Sequence, residues 1–77
     1  MKLTNLSIGT KVQIMRLDVK DYKLRLRLQE LGLYKGNVVT IINISPLKET
    51  FLVQIFNSCF AIKKNIANNI YVEYLVD

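Results

Sequence analysis

The sequence predicts a mainly β fold, a small barrel or meander of five strands with one short helix between the first and second strands. Two observations support this prediction. Several short segments rich in β-branched or alternating apolar residues follow one another closely, and glycine, proline or asparagine separates them. The chain has 77 residues, the size of one small domain with a single core. We therefore expect one domain over residues 1–77.

Five segments carry the strand signal. The first nearly alternates apolar and polar residues, and the second and third are rich in β-branched residues. The predicted strands are Lys11–Leu17, Val38–Ser45, Phe51–Phe56, Ser58–Lys63 and Ile70–Leu75. Asn57 predicts a tight hairpin between the third and fourth, because asparagine tolerates a left-handed backbone. Gly36 is predicted to have a positive φ in the turn that aims the helix onto the sheet.

The segment between the first two strands is ambiguous. Lys23–Gln29 alternates perfectly, which taken alone predicts a strand. However, its residues are good helix formers, Asp21 can cap a helix, and Gly32 stands where a left-handed residue ends one. We predict a short helix within Asp21–Leu31, with Leu26 partly exposed. Its buried stripe is expected to be Leu24, Leu28 and Leu31.

The composition argues against an enzyme or a metal protein. There is no histidine and one cysteine, Cys59, so a self-contained zinc site and Ser-His or Cys-His triads are excluded. The carboxylates are scattered, without a spacing that holds a divalent ion. We predict no catalytic residue, no metal and no cofactor, and we expect Cys59 to be a buried or half-buried structural residue.

No targeting segment or membrane span is predicted. The longest runs without charge, Gly36–Leu47 and Phe51–Ile62, have twelve residues each, whereas a spanning helix needs about 20 apolar residues. With a single unpaired cysteine, the chain is expected to be cytoplasmic.

Alternation predicts a second apolar surface outside the core. The residues predicted to fill the core are Val39, Ile41, Val53, Ile55, Phe60, Ile62, Ile70 and Val72. Their outward neighbours are Val38, Ile42, Ile44, Leu52, Phe56, Tyr71 and Leu75. This is more apolar surface than a monomer exposes to water. Either the helix and Leu3–Ile8 cover part of it, or it docks a protein partner or a second copy of the chain.

The net charge of +5 suits an anionic partner. Five of the cations lie within Arg16–Arg27. A solvated helix face is the simpler interpretation of this cluster, and a specific anion site is the alternative. A nucleic-acid surface favours exposed aromatics among the cations, and only Tyr22 is nearby.

One pattern runs through the whole chain. Its pieces are Leu6-x-x-Gly9, Val12-x-Ile14, Arg25-x-x-Leu28-x-x-Leu31-Gly32-Leu33-x-x-Gly36-x-x-Val39-x-Ile41, Ser45-Pro46-Leu47, Val53-x-Ile55, Phe60-Ala61-Ile62-Lys63, Ala67 and Ile70-x-Val72. This pattern resembles the FeoA family, the small cytoplasmic component of bacterial ferrous-iron uptake. The resemblance implies a five-stranded SH3-like barrel with one short helix between the first two strands. It also implies a non-enzymatic accessory of FeoB, a membrane transporter with a cytoplasmic GTPase domain.

The chain departs from the family pattern at three places. Lys48-Glu49-Thr50 stands where Gly-Asp-Pro is common, so the loop keeps its length without its rigid turn residues. Asn57 replaces a frequent hairpin glycine. Lys63 replaces a common arginine, which keeps the charge without the bidentate fork.

These observations lead to one functional expectation. We expect a cytoplasmic, membrane-proximal but not inserted adaptor that binds and modulates the GTPase part of a FeoB-type transporter. No nucleic acid is expected, and a second copy of the chain is the alternative protein partner. The alternative is a small basic barrel that binds RNA or a ribosomal surface. The candidate partner-binding residues are Arg25, Arg27, Ile42, Ile44, Leu52, Phe56 and Tyr71.

Overall fold

The computed structural model describes residues 1–75. Its five strands form one antiparallel sheet in the order β4-β3-β2-β1-β5. The strands are β1 (Lys11–Leu17), β2 (Val38–Ile44), β3 (Thr50–Ile55), β4 (Ser58–Lys63) and β5 (Ile70–Tyr74). Helix α1 (Tyr22–Glu30) lies between β1 and β2, helix α2 (Lys64–Ala67) lies between β4 and β5, and a single 3-10 turn (Leu3–Asn5) precedes β1. The predicted mainly β fold with one short helix after the first strand is confirmed.

The sheet does not close into a complete hydrogen-bonded barrel within the described residues, because β4 and β5 remain its two edges. The edge of β5 is partly covered by the start of the chain. Lys2 forms an isolated bridge with Tyr71, and the Val72 N–H donates to the Met1 carbonyl at 2.7 Å. Within residues 1–75, no further strand pairs with the edge of β4. None of the helices in residues 1–75 is long and apolar enough to cross a bilayer.

The core lies between the inner faces of the strands, helix α1 and the N-terminal segment before β1. Fully buried strand residues include Val12, Ile14, Phe51 and Val72. The N-terminal segment adds Leu3 and Leu6 to this core, so it fills the inner side and not the outer apolar surface. Of the predicted core residues, Val39, Ile41, Val53, Ile55, Ile62, Ile70 and Val72 are buried, whereas Phe60 is only partly buried against them.

A β-bulge changes which side chains of β2 face outward. Ile41 pairs with Val53 but Asn43 pairs with Leu52, so Ile42 is an extra residue in β2. Beyond the bulge, Ile44 lies opposite the buried Phe51 and packs against the core. The prediction that Ile44 faces outward is therefore wrong, because simple alternation fails at an inserted residue.

Helix α1 begins and ends at the residues that the sequence indicated. The Asp21 side chain accepts a hydrogen bond from the Leu24 N–H at 3.2 Å, which caps the first turn. At the other end, the Gly32 N–H donates to Gln29 and the Leu33 N–H donates to Leu28, both at 3.0 Å. These two bonds form a Schellman motif, in which Gly32 takes the left-handed position.

The buried stripe of the helix is narrower than predicted. Leu28 is buried in the core and Leu24 is partly buried against it. Leu31 is 37% exposed, so its predicted burial is wrong, while Leu26 is exposed as expected. Leu31 is the C-cap residue, and the chain reaches the core two residues later through Leu33, which is fully buried.

Candidate partner-binding surface

The outer face of β2 and β3 carries most of the apolar residues that the core does not take. Thr40 lies opposite Gln54 and Asn43 lies opposite Leu52 on this face. Four apolar residues on this face or at its end are at least partly exposed, and we call them the outer patch: Val38, Ile42, Leu52 and Phe56. Ile42, the bulge residue, is 36% exposed and Phe56 is 70% exposed. The patch is interrupted by polar side chains, so it is smaller than alternation alone predicted.

Phe56 borders an open groove at one end of the outer patch. The groove has a volume of about 450 Å³ and is lined by Lys11, Asn37, Val38, Thr40, Gln54 and Phe56. Its lining contains one cation and no carboxylate. An apolar side chain with a neighbouring acceptor or carboxylate is the chemistry that such a groove fits, because the ring and Val38 offer apolar contact while Lys11 offers a positive charge.

The backbone of Phe56 is unusual for so large a residue. Phe56 and Asn57 form the two-residue loop between Ile55 and Ser58, which pair across β3 and β4. The positive φ falls on Phe56, at 54°. The prediction that Asn57 adopts it is wrong, because the hairpin register places Phe56 at the first loop position, where a II′-type turn needs positive φ. A bulky residue in this region is a genuine outlier.

Tyr71 and Arg16 form a separate part of the outer face. A bulge in β1 brings Arg16 opposite Tyr71 on β5, and the guanidinium carbon lies 4.3 Å from the ring centroid. This is a cation–π contact. The Tyr71 ring is therefore partly covered by a cation and presents a basic rather than an apolar surface.

The two candidate arginines of α1 differ in their contacts. Arg25 is half-buried, donates from Nη1 to the Val19 carbonyl at 3.1 Å, and lies over the Tyr22 ring at 5.6 Å. These contacts tie the loop after β1 to the helix. Arg27 is exposed. Of the pair, Arg27 is thus the residue whose charge can act on a partner without a cost to the fold.

Cys59 is exposed on β4, so its predicted burial is wrong. It lies opposite Gln54, on the outer face. Within the described part of the chain, no three residues of the His, Cys, Asp and Glu types come close enough to hold a metal ion.

A second groove was not indicated by the sequence. It has a volume of about 760 Å³ and lies between the N-terminal segment and the β2–β3 loop, with Ser7, Ile8, Pro46 and Lys48 among its lining residues. Two backbone bonds bring the segments together: Gly9 N–H to the Ile41 carbonyl at 2.7 Å and Ile41 N–H to the Thr10 carbonyl at 2.9 Å. No local pattern signals such a groove, because its walls come from distant parts of the chain.

The β2–β3 loop keeps a defined shape despite its departure from the family pattern. The Ser45 hydroxyl accepts hydrogen bonds from the N–H groups of Glu49 at 2.9 Å and Thr50 at 3.0 Å. The Lys48 N–H closes a turn onto the Ser45 carbonyl, and Lys48 itself has a φ of 57°. Lysine thus stands at a left-handed position where glycine costs least.

The single five-stranded antiparallel sheet with a short helix between β1 and β2 defines a small SH3-like domain. The FeoA domain family matches residues 1–74. The chain belongs to the FeoA family. The comparison with curated proteins finds no match.

Three solved structures place the chain among FeoA proteins. A FeoA protein from Chlorobium tepidum superposes with a TM-score of 0.90 at 26% identity, over 99% of this chain and 71% of that one. Iron(II) transport protein A from Clostridium thermocellum gives 0.88 at 31% identity, over 97% of this chain and 46% of that one. A zinc complex of Stenotrophomonas maltophilia FeoA, described as an SH3 domain protein possibly acting as a ferrous-iron transport activating factor, gives 0.81 at 28% identity over 95% and 89%.

Proposed function

We propose that this chain is a non-enzymatic cytoplasmic accessory of ferrous-iron uptake that binds the cytoplasmic GTPase part of a FeoB-type membrane transporter. Membership of the FeoA family and the 31% identity to an iron(II) transport protein support the assignment to iron uptake. The observation that carries the binding role is the outer patch, where Phe56 stands largely in solvent on a strained backbone. Exposed apolar groups held in costly conformations are found at binding sites more often than elsewhere.

The outer patch and the basic residues have different parts in this interaction. Leu52 and Phe56 supply contact area, and apolar anchors near the centre of an interface cost more than about 2 kcal/mol each when truncated. Arg27 is exposed and steers the encounter with an acidic or membrane-proximal surface, since rim charges change the association rate and its salt dependence. Arg27→Glu slows association at low salt, and the charge-conserving Arg27→Lys leaves the rate unchanged.

A direct binding measurement tests this function. The purified chain is titrated into the purified cytoplasmic part of a FeoB-type transporter, at several salt concentrations, and into a structured RNA of similar size. We expect saturable binding to the transporter part with a weak salt dependence. Binding to the RNA alone, with affinity that falls steeply with salt as phosphates release their counterions, supports the alternative and refutes this proposal.

A further inference from the structure

The free edge of β4 carries an unused row of backbone hydrogen-bonding groups. Among residues 1–75, the sheet gives β4 one neighbour, β3. Outside the β3–β4 ladder, the backbone bonds of residues 58–63 are limited to the carbonyl of Lys63, which as the N-cap of α2 accepts the first bond of that helix. Sheet edges of this kind are templates for a further strand unless charge, a bulge or a covering segment blocks them.

The register shows which residues of β4 face away from β3. Thr50 lies opposite Lys63 and Ile55 lies opposite Ser58, and the same register places Glu49 opposite Lys64. The Lys64 N–H donates to the Glu49 carbonyl at 2.8 Å. Bonded and non-bonded pairs alternate in an antiparallel ladder. The residues in step with Lys64 therefore bond β3, while the N–H and C=O groups of Cys59 and Ala61 and the N–H group of Lys63 point to the open edge.

The side chains along this edge leave room for another strand. Cys59, Ala61 and Lys63 are all exposed, and the first two are small. Native edges are often protected by several charged side chains, by proline or by a bulge. β4 contains no proline, no register shift against β3 and a single charge, Lys63 at its end.

The charge at the end of β4 identifies the kind of strand that fits. Lys63 and Lys64 line a hollow of about 380 Å³ together with Asn65, Asn68 and one carboxylate, Glu49. A second copy of this chain is a poor occupant, because β4 has no carboxylate to place against Lys63 and each copy carries a net charge of +5. An extended segment with carboxylates offers the complementary charge.

We propose that the β4 edge is a strand-addition site for an extended acidic segment of a partner protein. The segment pairs with the N–H and C=O groups of Cys59 and Ala61 and with the N–H group of Lys63, and it places a carboxylate next to Lys63 and Lys64. Main-chain bonds give affinity in this mode of recognition, and side-chain complementarity gives selectivity. The site is distinct from the outer patch and does not depend on the identity of the transporter.

Residue-resolved amide exchange of the ¹⁵N-labelled wild-type chain tests the site. The probe is a capped nine-residue peptide of alternating glutamate and valine. At about ten times its Kd, exchange at Cys59, Ala61 and Lys63 slows about tenfold, as mass action requires. Exchange at Ser58, Phe60 and Ile62 does not change, because these amides already bond β3. Slowing at every second residue is the signature of an added strand.

Three outcomes overturn the proposal. The first is the absence of protection at those three amides with a saturating peptide. The second is equal protection by a peptide with lysine in place of glutamate, which removes the charge argument. The third is protection that rises with protein concentration alone, which makes a second copy the occupant.

A pair of variants isolates the backbone contribution. Ala61→Pro removes the outward N–H and blocks strand addition, and proline is tolerated on sheet edges. Ala61→Thr keeps the N–H at the same position and is the control. We expect Ala61→Pro to lose peptide binding and Ala61→Thr to keep it, while equal binding by both overturns the proposal. If Ala61→Pro does not fold, Lys63→Glu/Lys64→Glu replaces it, with loss of binding to the acidic peptide expected and unchanged binding contradicting the proposal.

Discussion

At the scale of single residues, Phe56 combines an exposed side chain with a backbone conformation that lowers the stability of the fold. Its ring is 70% exposed, so it gains little from burial, and its φ of 54° is costly for a residue with a large Cβ substituent. A residue chosen for folding alone at this turn is glycine or asparagine. Under the proposed function, phenylalanine stands at this position because it contacts the partner.

Phe56→Gly tests this account of Phe56. The substitution relieves a backbone cost of about 1–2 kcal/mol and adds chain entropy to the unfolded state worth about 0.5–1 kcal/mol. We expect a free energy of unfolding that is equal or slightly higher, measured by urea denaturation, and weaker binding to the transporter part. A loss of stability above about 2 kcal/mol would instead show that the ring packs within the fold.

Two glycines separate backbone strain from steric overlap. Gly36 has a φ of +93° and open space where a Cβ would stand, whereas a Cβ at Gly32, with a φ of +109°, would lie 2.6 Å from Ile55 Cγ2. Gly36→Val is expected to cost more than the roughly 1 kcal/mol of a typical mutation, through the backbone alone. Gly32→Ala adds about 1–3 kcal/mol of overpacking. Thermal unfolding of Gly32→Ala and Gly36→Ala compares the two sites, and equal losses would show that Ile55 yields without cost.

At the scale of elements, the strands and α1 were predictable because their signals are local. Hydrophobic periodicity located each strand. Asp21 and Gly32 marked the ends of the helix, and in the structure Asp21 forms the N-terminal capping hydrogen bond and Gly32 the C-terminal one. The bulge at Ile42 was not predictable, because an inserted residue is defined only by the strand beside it. The same reason explains the error at Ile44.

Two short elements were missed for a related reason. The 3-10 turn at Leu3–Asn5 and α2 at Lys64–Ala67 are too short to show a helical period. They are joined in the structure by a side-chain hydrogen bond of 2.8 Å from Thr4 to Asn68. Such elements are fixed by tertiary contacts, and only Leu3 and Ala67, both fully buried, mark them as core segments.

The cap of α1 gives the element-scale prediction. Asp21→Ala removes the acceptor for the Leu24 N–H and costs about 1 kcal/mol of stability. Asp21→Asn keeps a side-chain oxygen at the same position and is the control. Urea denaturation of the two variants measures the difference. Equal loss in both would assign the effect to the negative charge near the helix N-terminus and not to the hydrogen bond.

At the scale of the whole molecule, the chain has few side chains that can bind a metal ion. The chain has no histidine, and the described residues contain no cluster of three metal-ligating side chains. Ferrous iron binds sets of imidazole, carboxylate or thiolate ligands. We therefore expect the chain alone to bind ferrous iron weakly. Anaerobic titration calorimetry checks this, and a stoichiometric site of micromolar affinity would refute it.

The candidate site was predictable only in part at this scale. Phe56, Leu52 and Ile42 remain on the outer patch, because alternation holds up to the bulge. The Tyr71 ring is covered by Arg16, and Arg25 donates a hydrogen bond to the Val19 carbonyl. These intramolecular contacts arise from tertiary structure, which the local sequence pattern does not show. The open edge of β4 follows from strand order, which local patterns do not encode.

The dissociation rate of the complex with the transporter's cytoplasmic part tests the central claim most directly. Leu52→Ala and Phe56→Ala each remove an anchor of the outer patch, and Leu47→Ala is the control, since Leu47 is 79% exposed on the β2–β3 loop, outside the patch. A loss of about 2 kcal/mol corresponds to a dissociation rate roughly thirtyfold higher. We expect this rise for Leu52→Ala and Phe56→Ala, with unchanged unfolding curves and no change for Leu47→Ala. Unchanged rates in both patch variants, together with loss of binding at every salt concentration in Arg27→Glu, would contradict the claim and make α1 the recognition element.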